Sequence, residues 1–216
     1  MRIYLSPSDQ HSNITASGHS EADHCLSIAK AAEKYLKLNG YEAKIGDNTT
    51  EKSYTSRVAE SNNWSANLHV CIHTNAGGGK GTLVMCYPGY KENTFVKNVY
   101  HCLDNLVPTT GKGIIEKTDL YEINKTKAVC VYCECEFHDS AETENWIDAN
   151  VDGIGKAIAK GICMGDNRIF VDSVNDYQPT SGLYKVQIGA FTKYENAKAL
   201  ANKLKTLGYS SYIVKE

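Results

Sequence analysis

Three places in this chain gather side chains of the kind that hold a metal ion. Asp9, Gln10 and His11 follow the first apolar run, Glu21 opens the first amphipathic stretch, and His73 ends the most apolar strand, two residues before Asn75. A histidine-plus-oxygen donor set with one vacant position is what a catalytic zinc requires, because water takes the vacancy. Glu134 is the next candidate. In Cys130-Val-Tyr-Cys-Glu-Cys-Glu-Phe137, strand alternation puts Cys130, Tyr132, Glu134 and Glu136 on one face. Val131, Cys133, Cys135 and Phe137 take the other. Carboxylates on an otherwise apolar strand are costly unless something pairs with them. A cation at the sheet edge would do so. The plainer alternative sets Glu136 past the strand end in solvent and pairs Glu134 with a lysine or arginine.

The elements that must position these residues alternate. Arg2 to Leu5 reads as a strand running into Ser6-Pro7-Ser8. Residues 25, 28, 29, 32, 35 and 36 form the apolar stripe of a helix from Glu21, stopped at Asn39-Gly40. Tyr41 to Ile45 reads as a strand, Ser53 to Trp64 as a polar helix, and Ala66 to His73 as the central strand. Gly81 to Tyr87 is a further strand, Phe95 to Leu106 a helix, Ala128 to Phe137 the most β-like run, and Trp146 to Ile162 a long final helix. The alternation predicts an α/β fold, a mostly parallel sheet flanked by helices over residues 1–163. Residues 164–182 read as a linker. Residues 183–216 form a small C-terminal β-α-β unit: a strand Tyr184 to Ala190, a helix opened by a Thr192/Glu195 capping box and stopped at Gly208, and a strand Tyr209 to Val214.

Composition excludes several classes. Apolar residues form 42% and charged residues 22% of the 216 positions, the balance of a folded chain. No run nears the ~18 apolar residues of a membrane span. A net charge of −2 gives no footprint for nucleic acid. The opening Met1 to Pro7 lacks the apolar core of an export signal, which predicts synthesis in the cytoplasm. The eight cysteines read as buried free thiols, since Cys130-Val-Tyr-Cys133 has no second pair to complete a zinc knuckle. His69 reads as a core residue, and His19, His24, His101 and His138 as residues on surfaces or flanking a cleft.

Residues 1–163 resemble the zinc-dependent N-acetylmuramoyl-L-alanine amidases of bacterial autolysins and phage endolysins. The resemblance rests on Ile3-Tyr-Leu-Ser-Pro7, Glu21, Arg57 to Asn62, Leu68-His-Val-Cys-Ile-His-Thr-Asn-Ala76 and Glu134-Cys-Glu-Phe137. It implies one Zn2+ per chain, with Glu21 and His73 as second and third ligands, Glu134 as the base and Asn75 beside the substrate. The family's Asp-Pro-Gly-His-Gly segment is replaced by Ser6-Pro7-Ser8-Asp9-Gln10-His11. A divergent subset with Ser-Pro-Ser-x-Gln favours Gln10 as first ligand, while donor chemistry favours His11, with Asp9 third.

The tail resembles half of a SPOR domain through Val186-Gln-Ile-Gly-Ala-Phe191, Asn196-Ala197 and Gly208-Tyr209, with Gln187 and Phe191 as implied glycan contacts. One β-α-β unit is below the size that folds alone, so two tails are expected to interleave into a homodimer, the alternative being a tail that docks on its own catalytic domain. The resemblance implies hydrolysis of the amide between N-acetylmuramic acid and L-alanine in bacterial peptidoglycan, as by a phage-type endolysin acting at the wall after release, with no nucleic-acid or membrane partner. A catalytically inactive wall-binding protein and a zinc peptidase of the stem peptide are the alternatives.

Overall fold

The computed structural model describes residues 1–173 and 187–215. The chain divides into two compact units, Met1–Val174 and Asn175–Glu216.

The first unit is built on a six-stranded sheet: β1 (Arg2–Pro7), β2 (Glu42–Ile45), β3 (Leu68–Asn75), β4 (Leu83–Cys86), β5 (Gly113–Glu116) and β6 (Val129–Phe137), in the order β2-β1-β3-β6-β4-β5. All pairs are parallel except β4 with β6. Helices α1 (Glu21–Leu38), α3 (Thr94–Asp104) and α5 (Ala141–Gly165) pack on one face, over Ile3, Leu5, Val70, Ile72, Val131, Cys133 and Cys135. Helices α2 (Tyr54–Asn63) and α4 (Tyr121–Lys125) lie together on the other side, where Cys71, Met85, Ile123, Cys130 and Tyr132 form a smaller cluster.

Local chemistry sets the boundaries. Ser20 caps α1, its hydroxyl accepting from the Asp23 N–H, and Asn39 closes the helix. Ser140 caps α5 through the Thr143 N–H. Two glycines let α5 approach its neighbours: a Cβ on Gly155 would stand 2.5 Å from Ala31 Cβ, and one on Gly161 2.5 Å from Val99 Cα.

Several expectations need correction. β5 and α4 carry no strong periodic signal and were absent from the sequence reading. The chain after α5 does not leave the domain at once: Val171 exchanges backbone hydrogen bonds with the Asn39 side chain, at 2.7 and 2.8 Å, and Phe170 packs on Tyr35. The reading of the cysteines holds: all eight are free, seven of them buried, and Cys130 and Cys133 belong to clusters on opposite faces.

In the second unit α6 (Tyr194–Thr206) forms as expected and Gly208 follows it with φ +85°. Its N-cap is Lys193, without a side-chain hydrogen bond, rather than Thr192. Residues 187–190 and 209–214 carry no strand; residues 184–186 of the expected first strand lie outside the described residues. None of the residues of α6 is buried.

Candidate metal centre

The C-terminal ends of β1, β3 and β6 lie side by side. Pro7 pairs with Ile72, and His73 pairs with Glu134 across the parallel β3/β6 ladder. Side chains in register on adjacent parallel strands share a face, so His73 and Glu134 emerge together where β1 releases its loop. That loop returns through an isolated bridge, Ile14 to Ser20, and delivers Glu21 as the first residue of α1.

The structure brings Glu21 and His73 into contact: Glu21 Oε1 lies 2.8 Å from His73 Nδ1, and both residues are buried. Glu21 Oε2 accepts a hydrogen bond from Asn13 Nδ2 at 2.6 Å. His73 stacks on Tyr132 with ring centroids 4.6 Å apart. Burial drives the Glu21 carboxyl upward, but the hydrogen bond and charge of His73, with hydrogen bonds from Ser8 and Asn13, outweigh it and hold the group below the usual range. Burial alone would pull His73 down, yet its hydrogen bond to Glu21 and the charges of Glu134, Glu21 and Glu122 carry it above its ordinary value.

Glu134 differs from its neighbours. Burial, reinforced by the charge of Glu21 and opposed by His73, pushes its carboxyl up to about 7. Its Oε2 and His73 Nε2 are buried polar atoms without a hydrogen-bond partner among the described residues. Unpaired buried polar atoms are rare and call for an explanation. Glu136 is buried, not solvated beyond the strand. It accepts from the N–H groups of Gly81 and Phe137, at 2.6 and 2.8 Å, and from the Thr109 hydroxyl at 2.6 Å. A bulge lets this happen, because His73 pairs with Glu134 but Asn75 with Phe137.

The three residues weighed for the first ligand have separate environments. Asp9 Oδ2 accepts from the Tyr54 N–H at 3.0 Å and from the guanidinium of buried Arg57 at 3.2 Å. His11 Nε2 lies 2.6 Å from the Asn48 carbonyl, which can only accept, so Nε2 is the donor of this bond. Gln10 is exposed. Asn75 is half-buried beside the site, its carbonyl accepting from the His138 N–H. Gln187 and Phe191 are exposed in the second unit.

Sequence reading missed the support behind Glu21. His138 is fully buried; its Nδ1 lies 2.8 Å from Thr74 Oγ1 and its Nε2 3.3 Å from Asn13 Oδ1. A chain Thr74–His138–Asn13–Glu21 thus fixes the carboxylate. Its members lie up to 125 positions apart, beyond any local pattern. His69 is a core residue, 3.1 Å from Glu122 and stacked on Tyr4. His24 is buried too, not on a surface. Two further groups of metal-type donors occur among the described residues, His69 with Cys71 and Glu122, and His19 with His24, Glu144 and Asp148.

Fold and site together define an α/β domain with a cluster of nitrogen and oxygen donors at one end of its sheet. The chain belongs to the N-acetylmuramoyl-L-alanine amidase family, which matches residues 8–164, and a SPOR domain matches residues 178–216. It is similar to the sporulation-specific N-acetylmuramoyl-L-alanine amidase of Bacillus subtilis (strain 168), 27% identical over 99% of this chain and 84% of that one. The amidase CwlM of Bacillus licheniformis is likewise 27% identical, over 99% and 85%. The fold matches AmiC2 of Nostoc punctiforme with a TM-score of 0.69 at 18% identity, over 78% of this chain and 98% of that one. The catalytic domain of CwlV from Bacillus (Paenibacillus) polymyxa matches at 0.67 and 20%, over 77% and 98%.

Proposed function

We propose that this chain is a zinc-dependent peptidoglycan hydrolase that cleaves the amide between N-acetylmuramic acid and L-alanine. One observation carries the reading: the Glu21–His73 pair, 2.8 Å apart, stands beside a half-buried Glu134 whose Oε2 is buried with no partner among the described residues. The donors suit zinc. Two ligands each ~2.0–2.1 Å from one ion sit roughly 3 Å apart, and neutral imidazole with carboxylate is a usual set. Glu21, His73 and either Gln10 or His11 would hold the ion.

Bound zinc supplies a Lewis acid and a water whose pKa falls to ~7. Glu134 Oε2 accepts a proton from the attacking water and returns it to the departing L-alanine amine. Asn13, oriented by His138, keeps the Glu21 carboxylate in place, and Tyr132 fixes the plane of the His73 ring. The SPOR match and the exposed Gln187 and Phe191 support a wall-binding role for the tail, on glycan stripped of its peptides. An α6 with no buried residue supports pairing of two tails in a homodimer. Light scattering should give twice the chain mass at micromolar concentration, and a monomer there would remove the dimer.

Two relatives match over 99% of this chain, tail included, and one is sporulation-specific. That favours a host enzyme acting when a cell lyses over a phage endolysin. Mass spectrometry of digested walls tests the reaction: stem peptides beginning with free L-alanine are expected. Fragments cut inside the stem peptide would indicate a peptidase, and intact walls with a metal-free protein would indicate a binding protein.

A further inference from the structure

We infer that the chain carries a second zinc site, formed by His19, His24, Glu144 and Asp148 where the loop before α1 meets the start of α5. Each of the four offers one donor atom, and these atoms all lie within 4.8 Å of one another. Two imidazoles and two carboxylates make a complete tetrahedral set, and with neutral imidazoles their charge of −2 balances a divalent cation. No residue of this group belongs to the Glu21–His73–Glu134 cluster.

His24 supplies the independent observation. It is 5% exposed, yet neither ring nitrogen has a hydrogen-bond partner among the described residues. Its Nε2 stands 2.8 Å from Asp148 Oδ1, an ion-pair distance outside hydrogen-bond geometry. Donors that share an ion point at the ion rather than at each other, and this contact has that character. Glu144 and Asp148, one helical turn apart on α5, repel each other unless something compensates. His19 approaches His24 edge-on at 5.7 Å between centroids.

The position suggests what the ion would do. Glu144 already holds the loop through the N–H and hydroxyl of Ser17, at 2.7 and 2.6 Å, and its oxygens retain acceptor capacity. A zinc ion here would clamp to α5 the loop that carries Asn13, the partner of Glu21. It is a structural clamp beside the catalytic end, three residues along α1 from Glu21.

Competition of Zn2+ alone against a chromophoric chelator, on the metal-stripped full-length protein, tests the site. The wild type should take two tight equivalents and His73→Ala one. His19 and Asp148 are surface residues, so the pair His19→Ala/Asp148→Asn should fold normally, as circular dichroism would verify. In either background that pair should remove one equivalent or weaken it tenfold or more. A pair variant that leaves the number and affinity of bound zinc unchanged would overturn the site, as would a wild type that takes no zinc; a single wild-type equivalent that the pair removes leaves the clamp standing and removes the catalytic zinc. If His73→Ala instead keeps two equivalents and the pair still removes one, the clamp stands and the catalytic reading falls.

Discussion

Strands β3 and β6 present two faces that could hardly differ more, although alternate residues of the same two strands make both. Toward α1, α3 and α5 they offer Val70, Ile72, Val131, Cys133 and Cys135. Toward the other side they offer His69, Cys71, His73, Cys130, Tyr132 and Glu134, nearly all buried. The first face is held by packing alone. The second must pair each polar group it buries, since an unmatched one costs several kcal/mol. His69 has Glu122, which also accepts from the Ser6 hydroxyl, itself bonded by Arg57 Nε at 2.8 Å. His73 has Glu21. Among the described residues of this face, His69 Nδ1, His73 Nε2 and Glu134 Oε2 are buried without a partner, and the last two stand together at the strand ends where the proposed site lies.

The largest test of that contrast is Glu134→Gln. It should cut release of L-alanine amino termini from purified walls by about 10²–10⁴-fold, the usual worth of a positioned base, while bound zinc and urea unfolding stay near wild type. Normal turnover in this variant would show that the unpartnered carboxylate has no chemical role.

Next comes the polar pair that is structural. Glu122→Ala strands His69 in the interior and should cost about 3–5 kcal/mol in urea unfolding. The joint replacement His69→Phe/Glu122→Leu should recover most of that loss. If the double variant were as unstable as the single one, shape and not charge pairing would govern this side. On the aliphatic face, Ile72→Ala should cost about 2–5 kcal/mol through a cavity, with activity per folded molecule unchanged. A large activity loss there would mean the two faces are not separable.

How much of this was legible from sequence follows the same division. Period-two and helical patterns located β1, β3, β6, α1 and α5, because each has a continuous apolar face. Strand ends then pointed to Glu21, His73 and Glu134, which the fold gathers. β5 escaped because its Gly-Ile-Ile-Glu run is short and partly exposed at the sheet edge, and α4 because five residues are too few to show a period. Glu136 was misplaced because the β6 bulge interrupts strict alternation. The burial of His24 and His138 has no local signal because their partners come from distant segments. In the tail, residues 209–214 have strand-like composition without a strand, and no sequence pattern indicates whether a partner strand is present.

The smallest effect compares the caps of two helices. Ser20 closes α1 with its hydroxyl accepting from the Asp23 N–H at 3.2 Å and donating to the Asp23 carboxylate at 2.7 Å. Lys193 offers α6 no such bond. Ser20→Ala should therefore cost about 1 kcal/mol, which for a domain of this size lowers the melting temperature by about 2–4 °C. Lys193→Ala should leave the same transition within about 0.5 kcal/mol, as exposed substitutions do. The Ser20 loss should also reach the site, since Glu21 is the next residue and its N–H donates to the Asn13 carbonyl at 2.9 Å. Zinc affinity should weaken along with stability. An unchanged affinity would mean that Asn13 and His138, not the helix start, set the position of the Glu21 carboxylate.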